Sequence, residues 1–234
     1  MTKKYELVLD DTISFWGWKL FRIRALISFG SVEAGDLGGY IQKEENLSHD
    51  DNAWVWDNAK VWGDAKVWGD AKVSDNAKVW GNAEVWGNAK VWGNVEVSDN
   101  VEVSDNAKVW GDAKVSDNAK VWGNAEVSDN AKVWGNAEVS DNAKVWGNAK
   151  VWGNAEVWGN AEVSELGDII VFKNNWSSGR HFTYTKSNKM WKVGCFYGTG
   201  QELIKKAYRD SEKSGNYYKA YVDFVETLER LSEE

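Results

Sequence analysis

The sequence predicts a parallel β-solenoid, and three observations carry that prediction. A valine falls at every sixth residue from Val55 to Val163 without a slip. In all but three hexads, as in Ala59-Lys60-Val61, alanine and valine sit two apart around a lysine or glutamate, so the apolar pair shares one face of an extended segment. After a Trp or Ser that follows the valine come Gly or Asp, then Asn or Asp, residues that tolerate the left-handed backbone a corner requires.

Two closures fit that local pattern. An antiparallel meander, with Gly-Asn as a two-residue turn, lines its valines along one uncovered face of a ribbon. A chain that winds one way, three hexads per coil, stacks alanine and valine inside a triangular prism. Only the prism buries the valines, so the prism is the expected fold.

Residues 1–52 precede the regular hexads. Tyr5–Leu9 and Leu20–Leu26 alternate like strands, with Trp16-Gly17-Trp18 at the turn between them. Ala34-Gly35-Asp36-Leu37-Gly38-Gly39-Tyr40-Ile41 follows, and its glycines read as tight turns beneath an N-terminal β cap. No lysine or Ser/Thr stands at the spacing a phosphate loop needs.

Residues 53–164 form the repeat. Its run Val-Trp/Ser-Gly/Asp-Asn/Asp-Ala-Lys/Glu resembles the bacterial transferase hexapeptide family, and it departs from that pattern where Trp or Ser follows the valine. The resemblance implies a left-handed parallel β-helix, here of about six coils. The glycine-dense passage running into Asn52-Ala53-Trp54-Val55 is similar to the entry segment of YdcK-like hexapeptide-repeat proteins, a branch found in bacterial and prophage genomes. That likeness implies a phage-borne accessory protein with a role against a host defence.

In residues 165–234 the period stops. Ile169–Phe172, Arg180–Thr185 and Met190–Tyr197 read as strands, the last two joined by Lys186-Ser187-Asn188-Lys189. Thr199-Gly200-Gln201-Glu202 is a capping box for a first helix, Ser214-Gly215-Asn216 breaks it, and Tyr217, Tyr221, Phe224, Val225, Leu228 and Leu231 mark a second. The expectation is a C-terminal α+β cap.

Composition narrows function. The net charge of −8 sits on the rod and the N-terminal part, whereas Ile169–Gln201 carries no acidic residue against Lys173, Arg180, Lys186, Lys189 and Lys192. No apolar run reaches membrane-spanning length and no apolar stretch follows Lys3-Lys4, so no membrane partner and a cytoplasmic location are expected. The family's acyltransferases imply a coil-borne catalytic histidine, but the hexads contain no histidine, cysteine or arginine. His49 and His181 lie outside them, and Cys195 with His181 is the remaining thiol–imidazole pairing, weighed against plain core packing. An enzyme is not expected, and no cofactor or metal is.

Folding the hexads by threes places Trp62 over Trp80, Trp68 over Trp86, Trp92 over Trp110 and Trp134 over Trp152, rings that shield one another. It also makes one face mostly basic, from Lys60 and Lys78 to Lys132 and Lys150, and another mostly acidic, a pattern suited to side-by-side association into a homo-oligomer. The passage most like a site is the hairpin, where Trp176, Arg180, Tyr184, Lys186, Lys189, Trp191 and Lys192 alternate cations with aromatics. The functional expectation is a non-enzymatic binding or scaffold protein whose cap engages a protein or anionic ligand. An acyltransferase-like enzyme and an acidic nucleic-acid mimic are the alternatives; the lysines among the repeat carboxylates weaken the second.

Overall fold

The computed structural model describes residues 3–232; Met1-Thr2 of the N-terminal segment and Glu233-Glu234 lie outside the described residues. The repeat is a solenoid of parallel strands. Each hexad supplies a two-residue strand ending on its valine, Trp54–Val55 in the first and Lys or Glu before the valine in the others, as in Lys60–Val61 and Lys66–Val67. Every strand up to Lys144–Val145 pairs in parallel with the one three hexads on, as Lys60 with Lys78 and Val61 with Val79. Three stacked sheets result, with nine, seven and six strands. The alanines and valines are sealed between them: Val61, Val79, Val97 and Val115, stacked on one face, have no solvent exposure.

The corners show why those residue types alternate. Gly81 has φ +74° and Asp75 φ +58°, so both stand in the left-handed region. Aspartate there is compensated, because its carboxylate reaches the next coil: Asp75 Oδ2 accepts the Gly93 N–H at 2.9 Å and Asp117 Oδ2 that of Gly135 at 2.9 Å. Next to the corner, asparagines form ladders between coils. Asn82 donates to Asn100 at 2.9 Å, Asn100 to Asn118 at 2.9 Å, Asn118 to Asn136 at 3.1 Å and Asn136 to Asn154 at 3.4 Å. All four expected tryptophan stacks are present, at centroid separations of 5.1 Å (Trp62–Trp80), 4.9 Å (Trp68–Trp86), 5.1 Å (Trp92–Trp110) and 5.6 Å (Trp134–Trp152).

The solenoid has about seven turns, one more than the hexads alone supply. Strand β3 (Leu37–Ile41) joins the rod in parallel, Tyr40 against Lys60 and Ile41 against Val61, and Leu47 bridges to Val67. The glycine-dense passage is therefore partly strand and not only turn. Gly38 and Gly39 lie so close to Val55, Ala59 and Ile23 that neither has room for a Cβ. An antiparallel hairpin, β1 (Tyr5–Phe15) and β2 (Trp18–Ala25), extends the same sheet as the N-terminal cap. Its tip lays Phe15 and Trp16 against Trp62 and Trp80. The Lys4 ammonium is buried at this end and donates to the carbonyls of Asp50 (3.2 Å), Asp51 (3.3 Å) and Ala53 (2.9 Å). Burial holds that lysine down to about 8, against the pull of Asp51 and Asp50.

At the other end a four-stranded antiparallel sheet and two helices, α1 (Gly200–Asp210) and α2 (Glu212–Ser232), form the C-terminal cap. The capping box is made, with Thr199 Oγ1 accepting from Glu202 N at 3.3 Å and Glu202 Oε2 accepting from Thr199 N at 2.9 Å. The helix break falls at Ser211 and not at Ser214-Gly215-Asn216. Gly215 lies inside α2, where its missing Cβ lets α2 pass close to the Tyr208 ring of α1. Met190–Tyr197 is likewise two strands, Met190–Val193 and Phe196–Gly198, split by a turn at Gly194-Cys195. Among the described residues no helix is long and apolar enough to cross a membrane.

Candidate functional site

The strand His181–Thr185 decides how the cap meets the rod. Its alternate residues face opposite ways. Thr183 accepts the Glu156 N–H at 3.0 Å, and Ser187, just beyond the strand, accepts that of Glu162 at 2.7 Å, so this side closes the last turn. Phe182 and Tyr184 face away into a second core with Trp191, Leu203, Tyr218 and Val222. The helices therefore cover the face of the hairpin that carries Tyr184 and Trp191, two residues of the expected site.

The sequence-predicted site residues accordingly do not form one surface. Tyr184 and Trp191 are core residues. The Tyr184 hydroxyl donates to Glu229, and burial together with that carboxylate raises the phenol above its usual range. Lys192 is 6% exposed: its ammonium sits 2.8 Å from Glu156 Oε2 and 3.9 Å from the centre of the Trp158 ring. It fastens the cap to the rod. Arg180, Lys186 and Lys189 are exposed, and Trp176, 63% exposed, stacks on Tyr217 at 6.4 Å beside Phe172, Tyr221 and Phe224. Cys195 is exposed in its turn and not on a strand beside His181.

What the fold does bring together is a cleft of about 340 Å³ where the last turn meets the cap. Lys150, Trp152 and Asn154 line it from the rod, and Phe172, Lys173 and His181 from the cap. Trp152 ends its stack, with Trp134 beneath it and 46% of its surface exposed, so one indole face is open to a ligand. Lys150 ends a run of three lysines in register, Lys114, Lys132 and Lys150. Within that run Lys114 is paired, to Glu96 at 2.7 Å. Like charges directly opposite one another are unfavourable, so an anion bound here relieves a cost built into the rod.

The asparagine ladder fixes the orientation of His181. Each rung spends its carbonyl on the rung before it, which leaves the Asn154 amide to donate to His181 Nε2, 3.3 Å away. His49, by contrast, is structural: its Nδ1 accepts the Lys4 N–H at 3.2 Å and its ring stacks on Tyr5 at 4.3 Å. Lys150 and Lys173 were visible in the sequence as cations, but the cleft depends on which rod face the cap leaves open, and no local pattern encodes that. Among the described residues, no three of His, Cys, Asp and Glu converge as metal ligands do.

No protein-family model matches this chain, and no curated protein matches it.

Proposed function

We propose that this protein is a non-enzymatic binding and scaffold protein, whose rod sets length and rigidity and whose capped end engages an acidic group on a partner. The observation that carries the reading is the convergence of Lys150, Lys173 and His181 around the open face of Trp152 in an otherwise acidic chain. Such a cleft attracts an anion from a distance and offers it a flat apolar platform on arrival. Next to it, the apolar hollow at Phe172, Trp176 and Phe224 supplies area for a protein partner, with Phe172 as the ridge between the two.

The same proposal takes the winding as left-handed on the resemblance of the hexads, the protein as a phage-borne accessory with a host defence component as its target on the resemblance of the entry segment, and the location as cytoplasmic. The test is capture from host lysate by full-length protein, compared with Lys150→Glu/Lys173→Glu and with Lys66→Glu on another face. The expected result is loss of the captured partner in the first variant alone. Equal capture by all three overturns the cleft as the binding end.

A further inference from the structure

The tryptophan corners contain a vacancy that the proposed function does not use. One corner column reads Trp56, Ser74, Trp92, Trp110, Ser128 and Trp146 from coil to coil. Trp92 and Trp110 stack with their rings 7° apart. At Ser74 the column is missing one ring. Neighbouring strands lie about 4.8 Å apart, so residues two coils apart, Trp56 and Trp92, are separated by roughly 10 Å, the space of one further ring at the spacing of the stack.

Other single-serine gaps are closed. Ser104, Ser128 and Ser140 are buried, and across Ser140 the rings of Trp122 and Trp158 meet edge to face at 5.4 Å. Ser74 is not buried, and beside it lies a hollow of about 690 Å³. The N-terminal cap accounts for the difference. Phe29 packs on Trp54, and Trp54 holds Trp56 edge-on at 6.5 Å, so the Trp56 indole is engaged on its own turn.

The floor of the hollow is cationic. Lys72, Lys90 and Lys108 stand in register on adjacent coils, and Lys108 is paired, to Glu126 at 3.0 Å. Among the described residues Lys72 and Lys90 make no ion pair. Of the lining carboxylates, Glu126 is spent on Lys108, and Asp57 accepts the Asp75 N–H at 3.3 Å. Two adjacent ammonium groups thus lie beside a ring-sized gap between indoles.

We infer that the Ser74 gap is a binding slot for a flat aromatic ring carrying a carboxylate or phosphate, the ring continuing the tryptophan column and the acid lying over Lys72 and Lys90. Recognition of this kind joins stacking to charge and needs no sequence-specific hydrogen bonding. The slot lies at the opposite end of the rod from the cap cleft and stands independently of it.

Calorimetric titration of the full chain with indole-3-acetate and with adenosine 5′-monophosphate, each beside its neutral counterpart, indole-3-acetamide or adenosine, tests the slot. At least one acid is expected to bind with a Kd below about 1 mM and roughly tenfold more tightly than its neutral counterpart. Which acid binds distinguishes carboxylate from phosphate. Ser74→Trp/Asp75→Gly rebuilds the Trp-Gly corner found elsewhere in the rod and fills the gap; it is expected to weaken binding at least about tenfold while the protein stays folded. Lys72→Gln/Lys90→Gln is expected to reduce the acid to the affinity of its neutral counterpart, and this variant decides the matter should the filled corner not fold. Failure of both acids to bind, unchanged binding by the filled corner, or unchanged binding by the lysine variant overturns the inference.

Discussion

Replacing Lys192 by alanine is expected to loosen the C-terminal cap from the rod. The ammonium lies 2.8 Å from Glu156 Oε2, with side-chain exposures of 7% for the lysine and 24% for the glutamate, and it also covers the Trp158 ring and donates to the Gly194 carbonyl. Breaking a fully buried pair costs about 3–5 kcal/mol. Glu156 keeps some water, which lowers that figure, while the lost contact with the indole adds about 1 kcal/mol. Glu138 stacks directly on Glu156, so removing the lysine also leaves two carboxylates facing each other with only Lys120, one coil back and paired to Glu102, as a nearby cation. A net loss of about 3 kcal/mol follows, against about 0.5 kcal/mol or less for exposed Lys189→Ala. Urea titration, with amide exchange to show that the cap opens first, measures both. In a double-mutant cycle, Glu156→Gln should remove much of the effect of Lys192→Ala. Equal denaturation midpoints for Lys192→Ala and Lys189→Ala would refute the assignment of Lys192 as the fastening.

Val109→Asp places a carboxylate between Val91 and Val127 in the dry interior and should cost about 3–5 kcal/mol, whereas Lys132→Asp, on the outside between two lysines, should not destabilise; thermal melts of the two compare directly. Glu138 is held above the usual carboxylate range by burial and then by Glu156, so stability is lost as the pH rises from its unfolded pKa to its raised folded pKa, and the loss is complete above the latter. Glu138→Gln should therefore stabilise the protein by up to about 1 kcal/mol at pH 7, and the gain should shrink as the pH falls through the carboxylate range and wild-type Glu138 takes up its proton. A gain that grows on acidification would contradict the sign. Deleting Val97–Lys114, three hexads in register, should leave a folded rod one coil shorter; deleting three residues, which puts a corner where a strand belongs, should not, and circular dichroism separates the two.

The rod was legible because its information is periodic: Val61 over Val79 and Trp62 over Trp80 follow from counting once three hexads make a coil. The ends are not periodic, and there local reading misjudged particular residues. Gly215 suggests a helix break by composition, yet its role is close approach to Tyr208 on the other helix, a contact between elements that propensity does not contain. Lys192 resembles its neighbour Lys189 in sequence, but strand alternation points it at the last turn and Glu156. Tyr184 and Trp191 were assigned to a ligand because the two helices that cover them could not be placed from sequence. The cleft was hidden for the same reason, since half of it comes from the rod and half from the cap.

The near-interchangeability of the hexads makes the rod adjustable in whole units, each of which supplies a third of a turn. One hexad more or fewer turns the C-terminal cap by about 120° around the rod axis relative to the N-terminal hairpin, while changing the spacing between them by under 2 Å. Three hexads restore the angle and move the caps about 4.8 Å apart. Variation in copy number therefore acts first as a rotary adjustment and only then as a change of reach. A partner that touches both ends would accept alleles in steps of three, whereas one that touches a single cap would accept them all.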